Sequence, residues 1–436
     1  VDRALWLSRL LRRPLVGRGG AVVGRLSDVI VRLRGRDYPL VTGLVVLIGK
    51  HQVFLPVEQV ASFDADRIGL ASEVVDLRPF ERREGEVLLR ADVLGHRVVD
   101  VADVELVRAQ DIELRERPDG WVVDRLGTQS HRPRLFGLGA TAEPRWRDWR
   151  SFEPLIGHSQ SARVRRPFGR LGRLKPADLA DLLENADRGE SHEILATVHA
   201  DPELEADVFE ELEPDSQTRL LAEKDDAGIA AVLARMRADD AADAINDLPQ
   251  RRRQPVLDAL PAGQRTKVLT LLGFNPASAG GLMALDVLAA PVDSTVAQAL
   301  DLVRGARALQ PEALTSVYLV EAVGQERRLI GTATLVALLQ ADPGAAVRQV
   351  MVTQPVRVLP DTDVEDVALL MTDYNLLTVP VVDEQERVLG VITVDDILET
   401  VIPEDWRRRE PAPHPTRRAE HGQADGPPYD RTDQGA

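Results

Sequence analysis

The side chains best suited to chemistry in this chain are carboxylates, and they come in two short groups. Asp239, Asp240 and Asp243 lie in a helical pattern that puts 239 and 243, four apart, on one face. Asp395, Asp396 and Glu399 repeat the arrangement, with Thr393 three residues ahead of Asp396. Two such faces repel each other when bare, and a hard divalent cation coordinated by carboxylate and water oxygens bridges them, selecting a compact arrangement. The same residues have a plainer use. Aspartates at the start of a helix cap it and favour its dipole, which accounts for Asp239–Asp240 and Asp395–Asp396 equally well.

Catalytic chemistry finds little support, and no catalytic residue is assigned. The eight histidines form no ligand-spaced cluster, and His192 and His199 share a face only if one helix runs through both. Zero cysteines remove thiol catalysis, thiolate metal sites and disulfides together. No phosphate-binding Gly-x-x-x-x-Gly-Lys-Ser/Thr loop or Gly-x-Ser-x-Gly elbow occurs, and Gly17-x-Gly19-Gly20 precedes a strand, as a turn does.

These groups need elements to position them, and 436 residues suffice for two to four domains. The net charge of −16 argues against nucleic acid as a partner. Residues 174–272 hold 22 Asp and Glu against 11 Lys and Arg, a density that calls for positive charge among them. The longest apolar stretch, Leu40–Gly49, falls short of the roughly 20 residues that cross a bilayer. No secretory leader is expected either, and the setting anticipated is cytoplasmic, peripheral to a membrane where a partner lies there.

The acidic segment is an internal repeat. At a spacing of 24, Val208, Val232 and Val256 superpose, as do Phe209, Leu233 and Leu257, then Leu212, Met236 and Leu260, then Leu221, Ile245 and Leu269. Each unit has room for two short helices joined near Glu213-Pro214, Arg237-Ala238 and Pro261-Ala262, so stacking predicts an all-α, right- or left-wound solenoid over 174–273. An earlier unit carries Pro176 in a first turn and Leu179, Leu182 and Leu183 on one face.

The N-terminal third is β-rich and glycine-punctuated, and it too repeats. An offset of 83 aligns Leu11 with Leu94, Val16 with Val99, Val23 with Leu106 and Asp28 with Asp111, while Gly43–Val46 echoes Gly120–Val123. Two small barrels are expected, over 1–80 and 85–156. On Leu-x-x-x-x-Val, the Gly-rich turn and Ser27-Asp28-Val29 they resemble the PRC-barrel family, which implies an adaptor or assembly role. A basic linker at 157–173 and a polar, disordered tail at 406–436 complete the outline.

Residues 352–402 read as helix (Val364–Met371), strand (Thr378–Val382), turn, strand (Val388–Thr393) and helix, a β-α-β-β-α order that resembles the CBS module. Offsets of 68 and 62 find a degenerate first copy, with Asp293 on Asp361, Val303 on Met371 and Val317 on Val379, and Gly331 matches Gly390. The two motifs, 280–345 and 346–405, form one α/β pair. Solenoid, Ala279-Gly280-Gly281-Leu282-Met283 and this pair together resemble the cytosolic part of the MgtE family of magnesium channels over about 170–405.

That resemblance implies Mg²⁺ between acidic faces of solenoid and CBS pair, with Asp239, Asp240, Asp243, Asp395, Asp396 and Glu399 as candidate metal residues. It also implies an attached membrane pore, which is expected to be missing here. Pro276-Ala277-Ser278 depart from the family's acidic residues before the Gly-Gly junction. The second use of CBS pairs is nucleotide binding, through which Thr393 and Asp396 would hold ATP or AMP. The reading is a multidomain α+β, Mg²⁺-responsive regulator. It is expected to be a homodimer through the CBS pair, with a separately encoded membrane protein or another protein as partner of the barrels. A dimeric scaffold without a small ligand is the rival.

Overall fold

The computed structural model describes residues 4–35, 37–64, 66–71, 79–83, 85–130, 144–154, 171–307, 309, 311, 313–323 and 326–403. Most of the basic linker and the expected tail lie outside them. The chain forms two compact units, one within residues 1–212 and one within 213–414.

In the first unit, one repeat comprises β1 (Ala4–Trp6), α1 (Leu7–Leu10), β2 (Pro14–Val16), β3 (Val22–Arg34), β4 (Asp37–Ile48), β5 (His51–Pro56), β6 (Val60–Phe63) and β7 (Ile68–Leu70). The other comprises β8 (Glu86–Leu88), a helical turn at Leu89–Val93, β9 (Arg97–Asp100), β10 (Glu105–Arg117), β11 (Gly120–Ser130), β12 (Arg145–Asp148) and β13 (Phe152–Pro154). The offset of 83 is structural. Register breaks at Leu26/Asp28 and Ile30/Val31 in β3 recur at Ala109/Asp111 and Glu113/Leu114 in β10. After the turn the correspondence shortens by one, since Ile30 pairs with Gly43 and Glu113 with Arg125. Gly43–Val46 therefore corresponds to Arg125–Thr128, not to Gly120–Val123.

Two separate barrels were expected, and here the structure differs. All thirteen strands belong to one sheet, along β13-β9-β10-β11-β4-β3-β2-β7-β6 with the remaining strands alongside, and no closed barrel occurs among the described residues. One apolar core runs from Leu7 to Phe152. The reason is an exchange of leading segments: β1 pairs with β10 and β8 with β3. Asp28 accepts from the Arg90 and Ala91 amides at 2.8 and 3.0 Å, and its counterpart Asp111 accepts from the Ser8 amide and hydroxyl at 3.0 and 2.5 Å. Each repeat's aspartate thus caps the helical turn of the other. The gap between residues 80 and 85 marks the repeat, not a break in the core.

The first unit continues into α2 (Pro176–Glu184), α3 (Arg188–Val198) and α4 (Pro202–Glu210). Pro176 opens α2, and Leu179, Leu182 and Leu183 are buried. Arg97 of β9 ties the sheet to these helices, donating to the Asn185 carbonyl at 2.8 Å and pairing with Glu190 at 3.2 Å.

The second unit begins with α5 (Pro214–Ala222), α6 (Asp226–Leu233), α7 (Ala238–Asp247), α8 (Gln250–Ala259) and α9 (Ala262–Leu271). Helices open at 202, 226 and 250 and again at 214, 238 and 262, so the 24-residue period is that of the helix pairs. Within this unit α5 packs on α7, α6 on α8 and α7 on α9. The apolar columns are buried except at Leu269, 48% exposed, in the last repeat, which has no following repeat to cover it.

Then come α10 (Ala279–Leu282), β14 (Ala289–Pro291), α11 (Val296–Gly305), β15 (Ser316–Val323), β16 (Glu326–Thr334), α12 (Leu335–Gln340), β17 (Val352–Thr353), α13 (Val364–Tyr374), β18 (Thr378–Val382), β19 (Val388–Thr393) and α14 (Val394–Val401). Each sheet borrows a strand from the chain ahead of the other copy: β17 pairs with β16, and Ala284 bridges to Val391 in β19. That crossing explains the matched glycines. A Cβ at Gly331 would meet the Val352 carbonyl oxygen at 2.8 Å and the Met351 sulfur at 3.0 Å, and one at Gly390 the Ala284 carbonyl oxygen and the Met283 sulfur, both at 2.8 Å. Between the copies, the buried Tyr318 hydroxyl donates to Thr378 Oγ1 at 2.8 Å.

Candidate functional site: a carboxylate cluster around one guanidinium

Helix α7 begins without a side-chain cap: Arg237 occupies the capping position in an extended conformation, and Asp239 and Asp240 fill the first turn, at the positive end of the dipole. Its apolar face is mostly alanine (Ala238, Ala241, Ala242 and Ala244, with Ile245), which permits close packing by neighbouring elements. Helix α14 begins with a full capping box. The Thr393 amide and hydroxyl both donate to Asp396 Oδ2 at 2.8 Å, and the Asp396 amide donates back to Thr393 Oγ1 at 3.4 Å. The capping reading of Thr-x-x-Asp is therefore realised, yet it uses only one carboxylate oxygen.

The other oxygen of Asp396 reaches the helical repeats. Arg237 Nη1 donates to Asp396 Oδ1 at 3.0 Å, while Nε and Nη2 grip Asp240 at 2.6 and 3.2 Å and Asp239 stands 4.0 Å from Nη2. One guanidinium thus joins α7 to α14 through a fork on its own helix and a single bond across. Burial opposes its charge, but Asp240, Asp239 and Asp396 outweigh burial and hold it more firmly protonated than an ordinary arginine.

The carboxylates outnumber this cation. Burial first, then Asp240, pushes Asp239 up to about 7 against the pull of Arg237. Asp240 is raised by burial and Asp396, with Arg237 opposing. Asp243 and Glu399 are exposed, and incomplete hydration and then Asp240 raise them to about 6 and about 7. Of the six candidate metal residues, Asp239, Asp240 and Asp396 meet at Arg237, and the exposed Asp243 and Glu399 each feel the charge of Asp240. Asp395 is exposed and acts on the cluster only as a charge near Glu399. Among the described residues no three acidic or histidine side chains converge closely enough to hold an ion directly. His199 is a surface residue whose Nδ1 lies 2.7 Å from Glu205.

A second attachment joins the helical repeats to the CBS pair. The Ala279 and Gly280 amides donate to the Thr362 and Pro360 carbonyls, both at 2.8 Å, and a Cβ on Gly280 would meet the Phe274 ring at 2.7 Å. The Ala-Gly-Gly sequence is needed for that close backbone approach.

Residues 174–277 match the MgtE intracellular N domain and residues 347–402 the CBS domain. This protein carries both modules. The magnesium transporter MgtE of Thermus thermophilus is 33% identical over 236 residues, which is 53% of this chain and 51% of that protein. The chain thus spans about half the length of the curated relatives it matches. Among solved structures, the soluble part of a magnesium transporter is 25% identical with a TM-score of 0.50, covering 56% of this chain and 92% of that one. The cytosolic domain of the Mg²⁺ channel MgtE in complex with ATP is 31% identical, at 53% and 92% coverage and a TM-score of 0.49. Both modules meet at the cluster, Arg237 and Asp240 from the MgtE N domain and Asp396 from the CBS domain. No helix among the described residues is long and apolar enough to cross a membrane.

Arg237 is the functional residue that sequence reasoning missed. The signal was local: a basic residue two positions ahead of Asp239, at the capping position, where Ser, Thr, Asp or Asn is normal and a positive charge opposes the dipole.

Proposed function

We propose that this chain is a Mg²⁺-responsive regulator related to magnesium transport, in which the ion adjusts how firmly the MgtE N domain holds the CBS domain. The observation that carries this reading is the imbalance at their meeting point: Asp239, Asp240 and Asp396 face one guanidinium, and the exposed Asp243 and Glu399 each feel the charge of Asp240. Mg²⁺ keeps most of its water and is bound through one or two carboxylates, so a hydrated ion suits the exposed carboxylates Asp243 and Glu399 without a preformed cage. Protons held by Asp239, Asp243 and Glu399 are what the ion displaces.

The relatives lend the direction, since the curated match is named a magnesium transporter. In this reading the chain acts on a partner rather than on a substrate, with no catalytic step. Exposed Leu369, Tyr374, Leu377, Leu398 and Val401 on and beside α13 and α14 give the CBS pair an apolar face for a second copy. The N-terminal sheet, PRC-like in its repeat, is free to serve as an adaptor to a membrane protein. Thr393 and Asp396 already satisfy each other and Arg237, which weighs against the nucleotide reading.

Calorimetric titration with Mg²⁺, against K⁺ at equal ionic strength, tests the proposal. Saturable binding that raises the melting temperature, and that is lost in D243N/E399Q, supports it; identical responses to the two cations contradict it.

A further inference from the structure

We propose that Arg237 is a cation supplied by the protein itself, a latch that keeps α7 on α14 when no metal is bound. Its guanidinium stands between Asp239 and Asp240 of one module and Asp396 of the other, and it satisfies Asp240 with two bonds and Asp396 with one. Asp396 Oδ2 is fixed by Thr393, so Oδ1 is already aimed at Arg237 and little ordering entropy is lost in closing the pair. The largest charges acting on the guanidinium are Asp240, Asp239 and Asp396, and Glu399 lies within its electrostatic reach; all are acidic. With this residue in place, docking of the two modules precedes metal binding, and the ion adds to a closed state instead of creating it.

The latch stands on this geometry alone; only its consequence for Mg²⁺ rests on the function proposed above. It is tested by hydrogen exchange on the full chain in metal-free buffer. R237Q should exchange the protected amides of the first turn of α14 and its α7 neighbours about 10- to 100-fold faster than the parent chain, the loss expected for a hydrogen bond to a charged group. D396N, which keeps a side chain able to cap α14, should produce the same acceleration, and the double variant should add little more. Unchanged exchange in R237Q, or effects of R237Q and D396N that simply sum, would overturn the latch. Unchanged protection of β15 and β16, in the same unit, certifies in both variants that the fold is intact. Adding Mg²⁺ separates the two ideas: if R237Q is protected again, both hold, and if it stays open, the latch stands and the magnesium reading fails.

Discussion

The helical repeats are attached to the CBS pair in two places that differ in kind. Residues 278–284 are held by backbone hydrogen bonds, by the Ala284–Val391 bridge and by glycines that leave no room for a side chain. Helices α7 and α14 are held by charge, through one arginine amid a surplus of carboxylates. Neither salt nor pH has a handle on the first attachment, whereas both act on the second. A fixed pivot beside an adjustable clasp is what a cation-sensitive arrangement requires, and the contrast can be broken from either side.

The pivot should give the largest effect. Gly390→Val drives a branched side chain into the Ala284 carbonyl and Met283, and should cost about 3 kcal/mol, read as a fall in the denaturant midpoint that Mg²⁺ does not repair. Arg237→Gln strands Asp396 and Asp239 and should cost roughly 2–3 kcal/mol, less than for a fully buried pair because the arginine side chain is 23% exposed. In contrast to the glycine variant, its midpoint should recover with Mg²⁺.

Of the two attachments, only the clasp should respond to pH. Asp239, Asp243 and Glu399 have folded-state values raised to about 7, 6 and 7, so from about pH 4 to 7 the folded chain binds more protons than the unfolded one. The contribution of these groups to stability is therefore present at the low end of that window and is lost as pH rises through it. Melting curves of the metal-free protein should show this decline, and D239N/D243N/E399Q should lessen it, leaving the share of Asp28, which burial raises to about 6. Mg²⁺ affinity should rise across the same interval.

The exchanged repeats of the N-terminal sheet supply a reference without surplus charge. Asp28→Ala removes the acceptor for the Arg90 and Ala91 amides and should cost about 1–2 kcal/mol with no dependence on Mg²⁺. Asp111→Ala, in a more open position, should cost less, which equilibrium unfolding of the two variants would rank.

Repetition made much of the fold legible. Val208, Val232 and Val256 gave the helix period, Asp28 and Asp111 marked equivalent caps, and Gly331 and Gly390 marked the two strand crossings. What escaped was pairing at a distance. Nothing near Asp28 indicates that it serves residues 90 and 91, so two barrels were expected where one sheet formed. Leu269 fits its column, but its exposure depends on a neighbour that the last repeat lacks. Five of the six candidate carboxylates lie in or beside the cluster, because acidic patterning is local. Arg237 did not stand out, since its partner Asp396 lies 159 positions away and a lone arginine between two helices reads as a joint.

Small-angle scattering of R237Q across a Mg²⁺ titration tests the central claim most directly. The variant should be larger than the parent chain in metal-free buffer and contract to the parent's radius of gyration at millimolar Mg²⁺. A radius that matches the parent chain without metal and stays constant throughout would contradict the account.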